Sequence, residues 1–189
     1  MKIPATSDPY DILLHHNFWG TREILNACRK LTTEQFTRSI PVGPAEKGGL
    51  HANLTHIISV IGRWSDRIAG RTPRVPLGPA FPGYAGPIDD RLRTPDELDR
   101  ILEVNHNDLA ALSPSIRADP GRIVKLDLGG TPYAHTASAL YLHALTHGHY
   151  HRAQCVNVLK QLGVPGVSDK LPDIAVTAWQ NMTDMREQP

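Results

Sequence analysis

Three histidines recur at four-residue intervals in the segment 139–163, ALYLHALTHGHYHRAQCVNVLKQLG. This segment predicts one helix, in which each fourth residue advances only about 40° around the axis. His143, His147 and His151 therefore share a stripe with apolar residues that we expect to face a core, whereas His149 points the opposite way. A buried imidazole needs a polar partner. The spacing favours a metal ion that is bound by two histidines one turn apart and by a third ligand from elsewhere.

A second helix is the natural source of that third ligand. Residues 50–69 have a regular amphipathic pattern, with apolar side chains at intervals of three, four and seven residues. His51 lies at one edge of this apolar stripe and His56 at the other. A helix in a bundle contacts two neighbours, so the pattern leaves both histidines open as ligands. We interpret His15 and His16, in the first predicted helix, as residues of a polar surface.

The rest of the chain predicts a single all-α domain over residues 1–189, with one small β-hairpin before the histidine-rich helix. Its further elements are a helix over 9–31 capped by Ser7 or Asp8, a loop over 40–49, a helix that begins at the capping box Thr94-Pro95-Asp96-Glu97 and stops at Ser113-Pro114, a small hairpin over 122–128 and 131–135 with the turn Gly129-Gly130, and a short final helix over 173–185. Segment 71–93 carries five prolines and three glycines and has no periodicity. Such segments tend to be functional or to wrap the surface. Four long helices without an internal repeat favour a four-helix bundle.

Composition excludes several classes of protein. The 20 basic residues nearly balance the 19 acidic ones, and no basic stripe is present, so we expect no nucleic-acid partner. The apolar runs are too short for a membrane span, and the first residues lack the apolar region of a secretory signal. Cys28 and Cys155 fall within helical patterns and are typical of buried, reduced thiols. We therefore expect a cytoplasmic protein with no membrane partner.

Two common metal sites do not fit the histidine-rich helix. A zinc protease of the H-E-x-x-H type needs a glutamate directly after the first ligand, but Gly148 follows His147. A di-iron bundle needs glutamates and E-x-x-H pairs, which this helix lacks. Cys155 lies one turn beyond His151 on the same stripe and is interpreted as a core thiol. No phosphate-binding loop and no nucleophile-elbow motif is present.

The histidine-rich helix also resembles a known signature. His143-x3-His147-x3-His151-Arg152-Ala153-Gln154, which runs into LKQLGVP (159–165) and then Asp169, is similar to the motif of the DinB family of DinB/YfiT-like metalloenzymes. The resemblance extends over nearly the whole chain. It includes HNFW (16–19) in the first helix, LHANLTHI (50–57) with Trp64 and Gly70 in the second, and the hairpin with Gly130.

The resemblance implies an antiparallel four-helix bundle, often dimeric, with a three-histidine site for a divalent metal, typically nickel or zinc. Matched residue by residue, the ligands are His56, His147 and His151, so the resemblance selects His56 over His51. It leaves His143 with a supporting or core role. Ala153 stands where the family usually has glycine, which we expect to change packing more than ligation.

Three neutral histidines leave coordination positions open, which is typical of a catalytic site. The resemblance adds that some relatives look like thiol-dependent transferases or isomerases. We therefore predict a metal-dependent enzyme, such as an S-transferase that acts on a small molecule with a low-molecular-weight thiol, with substrate entering beside segment 71–93. The alternative is a non-catalytic metal-binding or stress-response protein whose ion ties two helices together. The sequence identifies no catalytic residue, metal or substrate.

Overall fold

The structure, a computed structural model, describes residues 8–40, 48–79, 84–128 and 130–180. Its elements, in chain order, are α1 (Pro9–Cys28), α2 (Thr33–Thr37), α3 (Leu50–Ile68), α4 (Pro95–Ala110), α5 (Ser113–Ala118), β1 (Ile123–Leu128), β2 (Thr131–Thr136), α6 (Ala137–Leu162) and α7 (Val176–Gln180). The prediction of a mainly helical fold with one small hairpin is confirmed. None of the described helices has the length and apolar character needed to cross a bilayer.

The described residues divide into two compact units. One consists of the residues up to Leu54 together with those from Gly148 onward, and the other is Thr55–His147. Both boundaries fall within helices, α3 and α6 respectively, so each of these helices contributes residues to both units. That the chain is one domain stays a prediction.

In the first unit, the apolar face of α1 is buried and the cap at its start is well formed. The Asp8 side chain accepts hydrogen bonds from the backbone N–H groups of the first turn, and Pro9 needs no hydrogen-bond partner there. Trp179 of α7 is 1% exposed, and its ring lies edge-on to that of His16. The second half of α6 adds Cys155, Val158 and Leu159 to the buried side chains of this unit.

In the second unit, α3 and α4 supply seven of the buried apolar side chains. These are Ile57, Ile58, Ile61, Ile68, Leu98, Leu102 and Leu109. Asp66, which is 4% exposed, holds the beginning of the irregular segment. It accepts hydrogen bonds from the side chains of Arg71 and Arg74, and Arg74 also forms an ion pair with Asp108 of α4 at 2.7 Å. Segment 71–93 is thereby anchored to α3 and to α4.

Predicted and observed elements agree to within a few residues, with two additions, α2 and α5. The predicted stop at Ser113-Pro114 is also the start of α5, because proline fits the first turn of a helix, where its missing N–H is not needed. β1 and β2 pair antiparallel from Ile123↔Thr136 to Leu128↔Thr131. Gly163 follows α6 with φ +63°, a left-handed conformation that glycine adopts readily at the end of a helix.

Some predicted features lie partly or wholly outside the described residues. They are the cap at Ser7, most of the loop 40–49, the centre of segment 71–93, the turn residue Gly129 and residues 181–185 of the predicted final helix.

Candidate metal centre

Two helices, α3 and α6, carry the three histidines that the structure brings together. His56 lies in the second turn of α3, and His147 and His151 lie one turn apart in the middle of the 26-residue α6. The apolar stripe of α6 is buried as predicted, but His147 and His151 are only half-buried and His143 is exposed. The histidines thus follow the edge of the buried face and not its centre. This difference arises because a row of every fourth residue drifts by about 40° per step around a straight helix.

The ligand atoms of His56, His147 and His151 converge on one point. One ring nitrogen from each lies within 4.8 Å of the others. The Nε2 atoms of His56 and His147 are 3.2 Å apart. Two nitrogens bound about 2.0–2.1 Å from one tetrahedral Zn²⁺ lie about 3.3 Å apart, so this pair has the spacing that a shared ion requires. These three residues therefore lie close enough to bind a metal ion.

A glutamine orients one of these imidazoles. The amide oxygen of Gln154 lies 2.7 Å from Nδ1 of His151, and because that oxygen only accepts, Nδ1–H is the donor. His151 then carries its lone pair on Nε2, the atom that remains for a metal. Metal-binding histidines commonly donate their other N–H to such a partner, which fixes the tautomer and the ring orientation. The donor set therefore fits a metal site in its supporting contacts as well as in its spacing.

Burial also favours the neutral form of His151. Desolvation lowers the pKa of His151, and the hydrogen bond with Gln154 opposes this effect without reversing it. Only a neutral imidazole has a lone pair to donate to a metal ion. The burial of this side chain thus keeps it ready for coordination at neutral pH.

The other candidate ligands have different environments. His51, which the helical pattern alone could not separate from His56, lies edge-on to the ring of Phe36 with centroids 5.5 Å apart. His149 is exposed, in agreement with its predicted direction. Cys155 is fully buried, and this burial raises the pKa of its thiol to about 12, although nearby Arg152 opposes the shift. A thiol of this kind is typical of a core residue, as predicted.

His16 departs from its prediction. Its side chain is 3% exposed, and its Nε2–H donates to the carbonyl oxygen of Ile174 at 2.8 Å. The interpretation of His16 as a surface residue is therefore wrong. The physical reason is the C-terminal segment around Trp179, which covers this part of α1 and which the local pattern of the first helix does not reveal.

Next to His151 lies a polar network that sequence reasoning missed. Arg152 is 1% exposed, and its Nη1 donates to the side-chain oxygen of Asn17, to the Asn17 carbonyl and to the hydroxyl of Thr21. Glycines make room for it, because a Cβ on Gly20 would lie 3.2 Å from Arg152 Nε and one on Gly148 would meet the side chains of Asn17 and Arg152. The two helical glycines, Gly20 and Gly148, were the available signal in the sequence.

Comparison with known proteins adds no assignment. No model of a known protein family matches the chain, and a search of curated proteins found no match either. The chemical interpretation of the site therefore depends on its residues and their geometry.

Proposed function

We propose that the protein is a divalent-metal-dependent enzyme in which His56, His147 and His151 bind the ion. The observation that carries this proposal is the convergence of three half-buried imidazoles to within 4.8 Å. Structural zinc sites are closed by four protein ligands, whereas catalytic sites have three and leave a position for water or substrate. A three-histidine set at the edge of a buried face has the second form.

The metal would supply Lewis acidity, and the chain positions the ligands. A bound Zn²⁺ or Ni²⁺ is a Lewis acid that lowers the pKa of a coordinated water or thiol, and imidazole ligands suit both metals. Two rigid helices hold the ligands, and Gln154 keeps the lone pair of His151 on Nε2. All three side chains are half-buried, so each keeps some contact with solvent.

The finer parts of the proposal depend on the resemblance of the histidine motif to the DinB family. We propose an antiparallel four-helix bundle that forms a homodimer in the cytoplasm and transfers a low-molecular-weight thiol to a small electrophile. The mainly helical fold is compatible with such a bundle. Agreement between the His56–His147–His151 cluster and the ligand positions of the motif supports the family assignment.

Metal content tests the ligand set through matched pairs on each helix. We expect about one ion per chain in the wild type, measured by mass spectrometry of the purified protein after loading with Zn²⁺ or Ni²⁺. His147→Ala and His56→Ala should lose most of it. The matched controls are His149→Ala on α6 and His51→Ala on α3, which should retain it. Equal metal content in His147→Ala and His149→Ala would contradict the proposal.

A second measurement separates the enzyme from a protein in which the ion is structural. We expect wild-type protein loaded with metal to couple cysteine to monochlorobimane faster than the uncatalysed reaction, and chelation to abolish this rate while changing the melting temperature only slightly. A large fall in melting temperature on chelation, together with no turnover, would instead support the structural role.

A further inference from the structure

A group of cationic and aromatic side chains, three of them on α3, leads to the candidate metal centre. We call Arg63, Trp64, Arg67, Tyr84 and His143 the arginine–tryptophan patch; all five belong to the unit Thr55–His147. The guanidinium carbon of Arg67 lies 4.9 Å from the centre of the Trp64 ring, and that of Arg63 lies 5.2 Å from the centre of the Tyr84 ring. The aromatic rings thus hold both guanidinium groups in place.

The two arginines concentrate positive charge on one face. They are one helical turn apart, and both are half-buried. Burial, together with the neighbouring charge of Arg63, lowers the pKa of Arg67, while Tyr84 and Asp66 oppose this shift. Within the described part of the chain, Arg67 forms no ion pair. Like charges one turn apart repel, and an oxyanion bound between two planar guanidinium groups would relieve the repulsion.

The patch is continuous with the histidine cluster. The ring of Trp64 lies edge-on to that of His143 at 5.2 Å, and the ring of His143 lies 5.6 Å from that of His147. Along α3, Arg63 and Arg67 follow His56 by seven and eleven residues. In a regular helix both therefore point within about 20° of the direction of His56, roughly 10 and 16 Å along the axis.

We propose that Arg63 and Arg67 bind the carboxylate or phosphate group of the substrate, whose reacting end lies at the three-histidine cluster. The position of that reacting end depends on the proposed function, but the oxyanion site itself does not. Between the two ends, the rings of Trp64 and His143 offer flat surfaces against which an unsaturated or aromatic part of the substrate can stack. The substrate class is thus a small anionic molecule with about 10 Å between its charged group and its reacting atom.

Two simple oxyanions can probe this site directly. Wild-type protein is titrated at low ionic strength with inorganic phosphate and, separately, with benzoate, and binding is followed by the NMR signal of the Trp64 indole N–H. Trp64→Phe assigns that signal. The indoles of Trp19 and Trp179, both buried, serve as internal references for nonspecific effects.

Two double variants are compared. Each removes two positive charges, and each includes an arginine that lies over an aromatic ring. Arg63→Gln/Arg67→Gln removes the proposed site. Arg22→Gln/Arg100→Gln removes the same net charge elsewhere, and Arg22 also lies over an aromatic ring, 4.9 Å from the centre of Phe18. We expect the first double variant to bind both oxyanions at least tenfold more weakly than the wild type, and the second to bind them as the wild type does.

Failure of this inference can be told from failure of the metal site. Both titrations are repeated after chelation, and the metal content of each variant is measured. Binding that needs the metal but not the two arginines would overturn the oxyanion site, as would equal binding by the two double variants or no binding by the wild type. Binding that needs the arginines in a protein that holds no metal would support this site and contradict the proposed function. A stronger response to benzoate than to phosphate would assign the carboxylate.

Discussion

His151 and Arg152 are consecutive residues of α6 with opposite environments. Arg152 is 1% exposed, and neutral oxygen atoms of Asn17 and Thr21 accept its Nη1–H donors. His151 is half-buried, and one of its ring nitrogens lies within 4.8 Å of a ring nitrogen of His56 and of His147. One region is a closed polar network inside a compact unit, whereas the other is a group of half-buried imidazoles with the spacing of metal ligands.

This difference separates a structural polar group from a functional one. A buried guanidinium without a carboxylate is expensive to desolvate, and burial lowers the pKa of Arg152 to about 10 although nearby Cys155 opposes the shift. Arg152 nevertheless remains charged at neutral pH, held by neutral acceptors and by the space that Gly20 and Gly148 leave.

The largest expected effect is on stability, from a substitution in the Arg152 network that leaves the three histidines unchanged. Arg152→Ala removes the N–H groups that donate to Asn17 and Thr21 and leaves a cavity, so we expect the free energy of unfolding to fall by about 3 kcal/mol. Urea denaturation followed by circular dichroism measures it. Metal affinity of the folded variant should change only a few-fold, because no ligand is lost.

Arg152→Met tests the reason for that effect. It removes the same donors but keeps the apolar stem and relieves the desolvated charge, so we expect it to be less destabilising than Arg152→Ala by about 1–2 kcal/mol. If Arg152→Met were as destabilising as Arg152→Ala, the charge itself would contribute to stability, and Arg152 would no longer count as an expensive buried charge.

The sequence predicts the open region better than the closed one, and for a physical reason. Two ligands four residues apart on one helix are a local pattern, which the rotation per residue makes visible in His147 and His151. The choice between His51 and His56 was not local, because a helical pattern gives the direction of a side chain but not the neighbour that it meets. The motif resemblance selected His56, and the structure places that residue in the cluster.

The closed region depends on contacts between residues far apart in the chain. Arg152 and Asn17 are separated by 135 residues, and His16 meets Ile174 across 158 residues. No periodicity predicts such pairs, and an arginine is ordinarily expected at the surface. The helices and the hairpin, by contrast, follow from capping residues and spacing, which act within a few positions.

Asp66 is also a buried charge, but unlike Arg152 it has partners of opposite charge. Burial raises the pKa of Asp66, but hydrogen bonds from Arg74 and Arg71 outweigh it and lower the pKa to about 2. The unfolded value is roughly 3.9. Since the folded pKa is the lower one, the stabilisation is complete above the unfolded pKa and is lost as pH falls toward 2. We expect it to amount to roughly 2 kcal/mol.

Asp66→Asn isolates this contribution from the other carboxylates. The difference in unfolding free energy between wild type and variant should be constant at neutral pH and shrink between about pH 4 and 2. Asp119→Asn, which removes a carboxylate from an exposed position, controls for the change in net charge. A difference that did not vary with pH would contradict the assigned role of the Arg71 and Arg74 hydrogen bonds.

The smallest expected effect is on the metal affinity of the three-histidine cluster. Gln154→Ala removes the acceptor that holds Nδ1–H of His151, so the imidazole can rotate and change tautomer. We expect metal affinity to fall about tenfold, as measured by competition with a chromophoric chelator, because partners of this kind typically contribute ten- to a hundredfold. Gln161→Ala, at an exposed position of the same helix, is the matched control and should bind as tightly as the wild type. Equal affinities in the two variants would mean that helix packing, and not Gln154, orients the imidazole of His151. The contacts of His151 would then matter for the position of its side chain as little as those of an exposed residue.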